Sequence, residues 1–307
     1  MRVGAVFSQA DAGTDPVAIR QWARDVESAG FEHILAYDHI LGASADKLGP
    51  GPFGSFPHAP YTEQHTFHEI LTLFSHLAAV TETVSFVTSV LVLPQRQTAV
   101  AAKQISTIDL LSGGRLRVAV GVGWNPAEYA GLGVDFSDRT AILEEQIAVM
   151  RRLWTEPLVS FAGRFHQLDR IGINPLPTRP IPVMIGCGGS DAVLKRVVRC
   201  ADGWMPLLIP GLDSVSFAAG VKRLRELATD AGRDPASINV HGRVYLGGGP
   251  GGGDGWQSGL EEALELGCSD CSIGFNRMAF PGHSHAEHLD AIIGAKDQID
   301  AIVGHPS

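Results

Sequence analysis

The chain has 307 residues, 45% of them hydrophobic, and a formal net charge of −9. That length and apolar content suffice for a sizeable core in one large domain or two. The acidic balance, with no lysine or arginine run, leaves no electrostatic footprint for nucleic acid or an anionic membrane surface. Cys187, Cys200, Cys268 and Cys271 are few cysteines for the length, and Met1 leads straight into a strand pattern, so a reducing cytoplasm is the expected location. No apolar run approaches the roughly 20 residues of a membrane helix.

In chain order, strand-like runs alternate with helical ones: strand 3–7, helix 17–29, strand 34–37, helix 70–80, strand 84–93, helix 99–111, strand 116–122 and helix 142–153. The alternation continues with strand 182–185, helix 193–200, strand 204–208, helix 215–228, strand 238–246, helix 256–266, strand 271–275 and helix 287–302. Repeated β-α units imply a parallel sheet. Eight of them predict a closed (β/α)₈ TIM barrel as a single domain over 1–307, with functional groups at the carboxyl ends of the strands. An open doubly wound sheet would favour a G-x-G-x-x-G turn after the first strand, which here reads Phe7-Ser8-Gln9-Ala10. Insertions interrupt the pattern after strand two (40–67) and strand four (157–180), as lids or partner surfaces do. The tract 247–255, nearly all glycine, reads as a flexible connection.

Chemistry-bearing residues cluster at the predicted strand ends. Tyr37-Asp38-His39 closes strand two. Histidine there suits proton transfer, and an adjacent carboxylate can hold a ligand or fix a tautomer; the simpler alternative is a strand-capping histidine bonded to a loop carbonyl. Thr88-Ser89-Val90 interrupts strand three with hydroxyl side chains. Gly121-Val122-Gly123-Trp124-Asn125 ends strand four, where lost side chains make the backbone approachable or only form a turn. Gly186-Cys187-Gly188-Gly189-Ser190-Asp191 precedes a helix with Ser190 or Asp191 as its cap, which suits a cofactor phosphate or an ordinary capped turn. His58, His65 and His68 lack a third ligand at metal-site spacing, so no metal is expected. Cys268 and Cys271 read as buried thiols in or near a late strand, without the second pair that a zinc site needs.

The segments YDHILG (37–42), TSVLVLPQRQ (88–97), AAKQISTIDLLSGGRLRVAVGVGWNPAEYAGLG (101–133), RRLWTEP (151–157), GINPLP (172–177) and IPVMIGCGGS (181–190), in this order, resemble the luciferase-like monooxygenase superfamily, in particular its coenzyme F420-dependent oxidoreductase branch. The resemblance implies a barrel that binds F420, or FMN in some relatives, with the ring at the strand ends. By residue, it implies His39 beside the reactive part of the ring and Asp38 as a neighbouring cofactor contact. Ser89-Val90 matches a non-prolyl cis peptide that bulges against the ring, Gly123, Trp124 and Asn125 match the flanking loop, and Gly188, Gly189 and Ser190 match the phosphate turn. Related sugar-phosphate dehydrogenases place an acid where this chain has Pro126. Glu128 is displaced from that position and receives no role, and the apolar run 206–210 makes a sugar phosphate an unexpected substrate.

The expected function is therefore hydride transfer between F420 and a small, apolar organic substrate, under a cover supplied by Phe53, Phe56, Tyr61 and Phe67. Alternatives are an FMNH₂-dependent monooxygenase, a metal-dependent barrel hydrolase or isomerase built on His39, His65 and His68, and a cofactor-binding protein without turnover. A homodimer is expected, paired through Ile70, Leu71, Leu73, Phe74 and Leu77.

Overall fold

The computed structural model describes residues 1–48, 61–207, 214–247, 255–275 and 284–304. Eight parallel strands close into a barrel: β1 (Arg2–Phe7), β2 (His33–Ala36), β3 (Ser85–Thr88), β4 (Leu116–Gly121), β5 (Val183–Cys187), β6 (Gly203–Pro206), β7 (Asn239–Leu246) and β8 (Asp270–Phe275). Their order around the wall is β3-β2-β1-β8-β7-β6-β5-β4, and β3 pairs with β4 to complete the ring. Around it lie α1 (Pro16–Ser28), α2 (Ile70–Ala78), α3 (Thr98–Leu111), α4 (Arg139–Thr155), α5 (Asp191–Cys200), α6 (Ser214–Asp230), α7 (Trp256–Glu265) and α8 (His285–Gly294).

Local chemistry sets the helix starts. Asp15 accepts a hydrogen bond from Val17 N–H ahead of Pro16, and Ser284 with Glu287 forms a capping box at α8. Helix α1 buries Ile19, Trp22, Ala23 and Val26, the spacing of one helical face. The predicted helix 287–302 is two helices, because α8 ends at Gly294 and a new helix runs Lys296–Val303. Glycine, the weakest helix former after proline, stands at the junction.

Alternation along each strand separates two cores. In β2, Ile34 and Ala36 face the helices and belong to the large outer core, while Leu35 joins Val6, Val87, Ala119, Met184 and Met205 in a compact plug inside the barrel. Tyr37 and Val90 pack on that plug from the side of the strand carboxyl ends. Toward the amino ends the interior turns polar. His33 and His241 share the Ser272 hydroxyl at 2.7 and 2.8 Å, and Asp270 pairs with Arg117 and Arg2.

Several expectations are corrected. Strand 84–93 is not continuous: β3 stops at Thr88 and the short segment Leu91–Val92 re-pairs with Val120–Gly121 of β4, while the Ser89–Val90 peptide between them is cis, as the family resemblance implied. Thr88 bridges the gap, its hydroxyl donating to Ala119 O at 2.7 Å and accepting from Ala119 N–H at 2.9 Å. The face offered for dimerisation is internal, since Ile70, Leu71, Leu73, Phe74 and Leu77 are at most 5% exposed and pack into the outer core. An amphipathic helix shows the same stripe whether a barrel wall or a second subunit covers it. Cys268 and Cys271 are free, buried thiols before and in β8, with burial pushing Cys268 up to about 12. Among the described residues no helix is long and apolar enough to cross a membrane. His58, Phe53, Phe56 and most of the glycine tract lie outside the described residues.

Candidate active site

The segment leaving β2 splits its charged residues between two tasks. Asp38 is buried, and each of its oxygens has a protein partner: Arg96 spans both at 2.8 Å, and Val92 N–H donates to Oδ2 at 2.9 Å. Such a two-point guanidinium–carboxylate pair fixes geometry. It ties the end of β2 to the chain just beyond the cis peptide.

His39, one residue on, enters an aromatic cluster. Its ring stacks on Tyr61 with centroids 3.7 Å apart, and Phe67 and Trp124 present edges at 5.2 and 6.2 Å. Nδ1 meets Glu128 Oε2 at 3.4 Å. That carboxylate, 2% exposed, also accepts from Ile40 N–H (2.6 Å), Leu41 N–H (3.1 Å) and the Tyr61 hydroxyl (3.2 Å). Burial raises the Glu128 pKa, but the bonds from His39, Leu41 and Ile40 outweigh it and hold the carboxyl below its ordinary value. Burial also pushes the Tyr61 phenol up, so it stays a neutral donor. An ionised carboxylate only accepts, so in the His39–Glu128 contact Nδ1 of the imidazole is the donor.

Glu128 is the residue that sequence reasoning passed over. Asn125-Pro126-Ala127-Glu128 reads as an N-cap, a first-turn proline and a third-position glutamate, the spacing of a capping box. Asn125 does cap the short helix Pro126–Gly131 through Ala127 N–H at 3.0 Å, and its amide also donates to Tyr61 Oη at 2.9 Å. Glu128 instead reaches across the barrel mouth to the backbone after β2. Ile40 and Leu41, whose N–H groups turn toward it, are the partners that a linear reading does not supply.

Opposite this cluster the cis Ser89–Val90 unit sits at the top of the plug. Ser89 N–H donates to Ala36 O at 2.8 Å, and Ser89 Oγ accepts from Arg243 Nη1 at 3.2 Å. The Val90 methyls occupy the space of two missing side chains, since a Cβ at Gly121 would lie 2.4 Å from Cγ2 and one at Gly186 2.1 Å from Cγ1. Those glycines make room for Val90, not for a ligand, as the open-backbone reading of Gly121 had it. Gly123, at φ +63°, packs its α-carbon against Val92. On the β7 side, Arg243 lies beside the Tyr37–Tyr245 hydroxyl pair, whose oxygens are 2.8 Å apart.

Residues 2–246 match the luciferase-like monooxygenase family. The chain belongs to that family. An uncharacterized protein of Mycobacterium tuberculosis is 32% identical over 279 residues, covering 88% of each chain. The fold is shared with the monooxygenase RslO1 from Streptomyces bottropensis (TM-score 0.72, 17% identity, 96% of this chain and 98% of that one). It is shared too with an F420-dependent secondary alcohol dehydrogenase in complex with an F420-acetone adduct (0.64, 20%, 97% and 83%) and with riboflavin lyase RcaE with modified FMN (0.65, 17%, 87% and 68%). Luciferase-like proteins are F420- or flavin-dependent oxidoreductases and monooxygenases, and this chain is an enzyme of that kind.

In this luciferase-like barrel the turn after β5 brings Gly188, Gly189 and Ser190 to the amino end of α5. Ser190 is the cap residue, yet its side chain makes no capping bond. Asp191 turns outward onto Arg223 at 2.6 Å, and a Cβ on Gly188 would meet no atom within 4 Å. His65 and His68 are not aimed at the mouth: His65 Nδ1 accepts from Thr62 N–H at 2.9 Å, and His68 Nε2 contacts Gly13 O at 2.9 Å. Among the described residues no three His, Cys, Asp or Glu side chains converge as metal ligands.

Proposed function

We propose that the protein transfers a hydride between F420 and a small, largely apolar organic substrate at the barrel mouth, with His39 handling the accompanying proton. The observation that carries this reading is the His39–Glu128 contact, which sets a buried carboxylate behind the imidazole while, among the described residues, nothing bonds its other nitrogen. A flat cofactor fits the residues present. The cis Ser89–Val90 unit with Tyr37 would form the floor under the ring, Trp124 and Asn125 its flank, and the turn Gly188-Gly189-Ser190, at the amino end of α5 where no side chain caps the helix, would take a phosphate. Asp38 would act through Arg96, holding this floor in place.

Bound F420 supplies hydride chemistry, and the chain's own groups do the rest. Nε2 of His39 accepts a proton from a substrate hydroxyl or returns one to a developing alkoxide. Glu128 keeps Nδ1 protonated and balances the charge while both nitrogens carry protons. Tyr61, fixed by Asn125, clamps Glu128 and stacks the imidazole so that proton transfer needs no side-chain search. Ile40, Leu41 and Phe67 give the rim its apolar character.

A second reading, an FMNH₂-dependent monooxygenase, is favoured by the likeness to RslO1. Anaerobic equilibrium titration with F420 and with FMN separates them. The proposal expects F420 to bind about tenfold or more tightly than FMN, a gap of ~1.4 kcal/mol. Tighter FMN binding moves the assignment to the monooxygenase, and binding of neither overturns both.

A further inference from the structure

Other arginines of the barrel have a carboxylate partner or a full set of carbonyl bonds. Arg96 spans Asp38, Arg117 pairs with Asp270, and Arg115 makes five bonds to Ser112, Thr81, Val84 and Ala78. Arg243, on β7, is different. Its bonds are long, 3.2 Å to Ser89 Oγ and 3.4 Å to Pro206 O; its Nε, like that of Arg117, Arg139 and Arg179, has no partner; and, unlike Arg117 and Arg179, it pairs with no carboxylate among the described residues. The Tyr37 hydroxyl beside it bonds Tyr245 and also accepts from the guanidinium, a neutral partner that supplies no counter-charge. A half-buried guanidinium with no carboxylate beside it leaves charge uncompensated, so its retention at a mouth floored by Ser89–Val90 points to a negative charge that arrives with a ligand.

A flavin or deazaflavin ring provides such a charge. Adding two electrons and one proton at the central ring leaves the pyrimidine portion electron-rich, and at neutral pH its N1–C2=O edge carries a delocalised negative charge. We propose that Arg243 receives the N1–C2=O edge of the reduced ring, so that the mouth binds the reduced cofactor more tightly than the oxidised one. This rests on the reading of the mouth as a redox-cofactor site and adds to it a direction: the protein favours the reduced ring. It also gives the apolar rim one charged wall, on the side of β6 and β7.

The test is anaerobic titration of FMN and F420, each oxidised and dithionite-reduced, into wild type, Arg243→Lys and Arg243→Met, together with melting curves of the ligand-free proteins. The reduced-to-oxidised affinity ratio falls about tenfold or more in Arg243→Met, equivalent to ~30 mV for a two-electron couple, and stays within roughly threefold of wild type in Arg243→Lys. The ligand-free Arg243→Met protein melts at or above wild type, because an uncompensated charge has been removed. A ratio unchanged in Arg243→Met, with both forms still bound, overturns the inference while leaving the redox reading intact. A large loss of stability in that variant overturns it too, by assigning Arg243 to the fold. Wild type that binds neither cofactor in either state removes the redox reading and this inference together.

Discussion

The two ends of the barrel are built from the same residue types and do opposite things. At the floor, Asp270 is clasped by Arg117 and Arg2, and His33 and His241 share one serine hydroxyl. Burial drives both histidines down, His241 to about 3, so they are neutral in the folded protein, and the arginines hold Asp270 below its ordinary range against the upward push of burial. A cavity of about 270 Å³ opens there, lined by Arg2, Arg117, Arg179 and Asp270. At the mouth, the carboxylate Glu128 is held by backbone N–H groups, a tyrosine and one histidine, Arg243 Nε makes no hydrogen bond, and among the described residues none is made by His39 Nε2. In this fold, catalytic groups come from strand carboxyl ends while the opposite face serves stability. At the floor the carboxylate has arginine partners, although Nε and Nη2 of Arg117 and Nδ1 of both histidines make no bond; at the mouth, among the described residues, no carboxylate pairs with Arg243.

That contrast breaks first at His39. Replacing it with Ala lowers turnover roughly 10²–10⁴-fold, the range for losing a general acid–base, with the urea midpoint nearly unchanged. Steady-state kinetics beside urea denaturation checks this, and full turnover would remove His39 from the mechanism. At the floor the outcome reverses. Asp270→Ala strands Arg117 in the interior and costs about 3–5 kcal/mol by equilibrium unfolding, while cofactor affinity per folded molecule is retained.

Smaller effects sharpen the picture. Gly121→Ala drives a methyl into Val90 and costs roughly 1–3 kcal/mol. Val90→Ala in the same chain recovers part of that loss, so unfolding of the two single variants and the double shows non-additivity. A further signal is pH dependence. His241 titrates near pH 6.5 when unfolded and at about 3 when folded, so between those values the unfolded chain binds a proton that the folded chain does not. Stability is therefore full above about pH 6.5 and declines as pH falls, by up to ~1.4 kcal/mol per pH unit for each such histidine. His241→Gln flattens the slope between pH 6.5 and 4, above the range where Asp270 begins to protonate. A slope unchanged in that variant would place the titration elsewhere.

Most of the scaffold was legible because its signals are local. β-branched runs and helical stripes gave the eight-unit alternation, and YDHILG placed His39 at the end of β2. Features set by distant neighbours were not. The break after Thr88 depends on Ala119 lying opposite to bond its hydroxyl. Gly121 and Gly186 looked like open backbone because nothing near them in sequence says that Val90 fills the space. Glu128 stands 89 residues from His39 and carries the spacing of an ordinary helix cap, which hid its partners. Arg243 sits in a β-strand run, where only the closed barrel shows that its side chain turns inward to Ser89.

The most direct test is a crystal structure with the reduced cofactor bound. The ring should lie over Ser89–Val90 and Tyr37, with His39 Nε2 facing the substrate side and the phosphate at Gly188–Ser190. A ring bound away from Ser89–Val90, or His39 turned out of reach of it, would contradict the assignment of the mouth as the redox site.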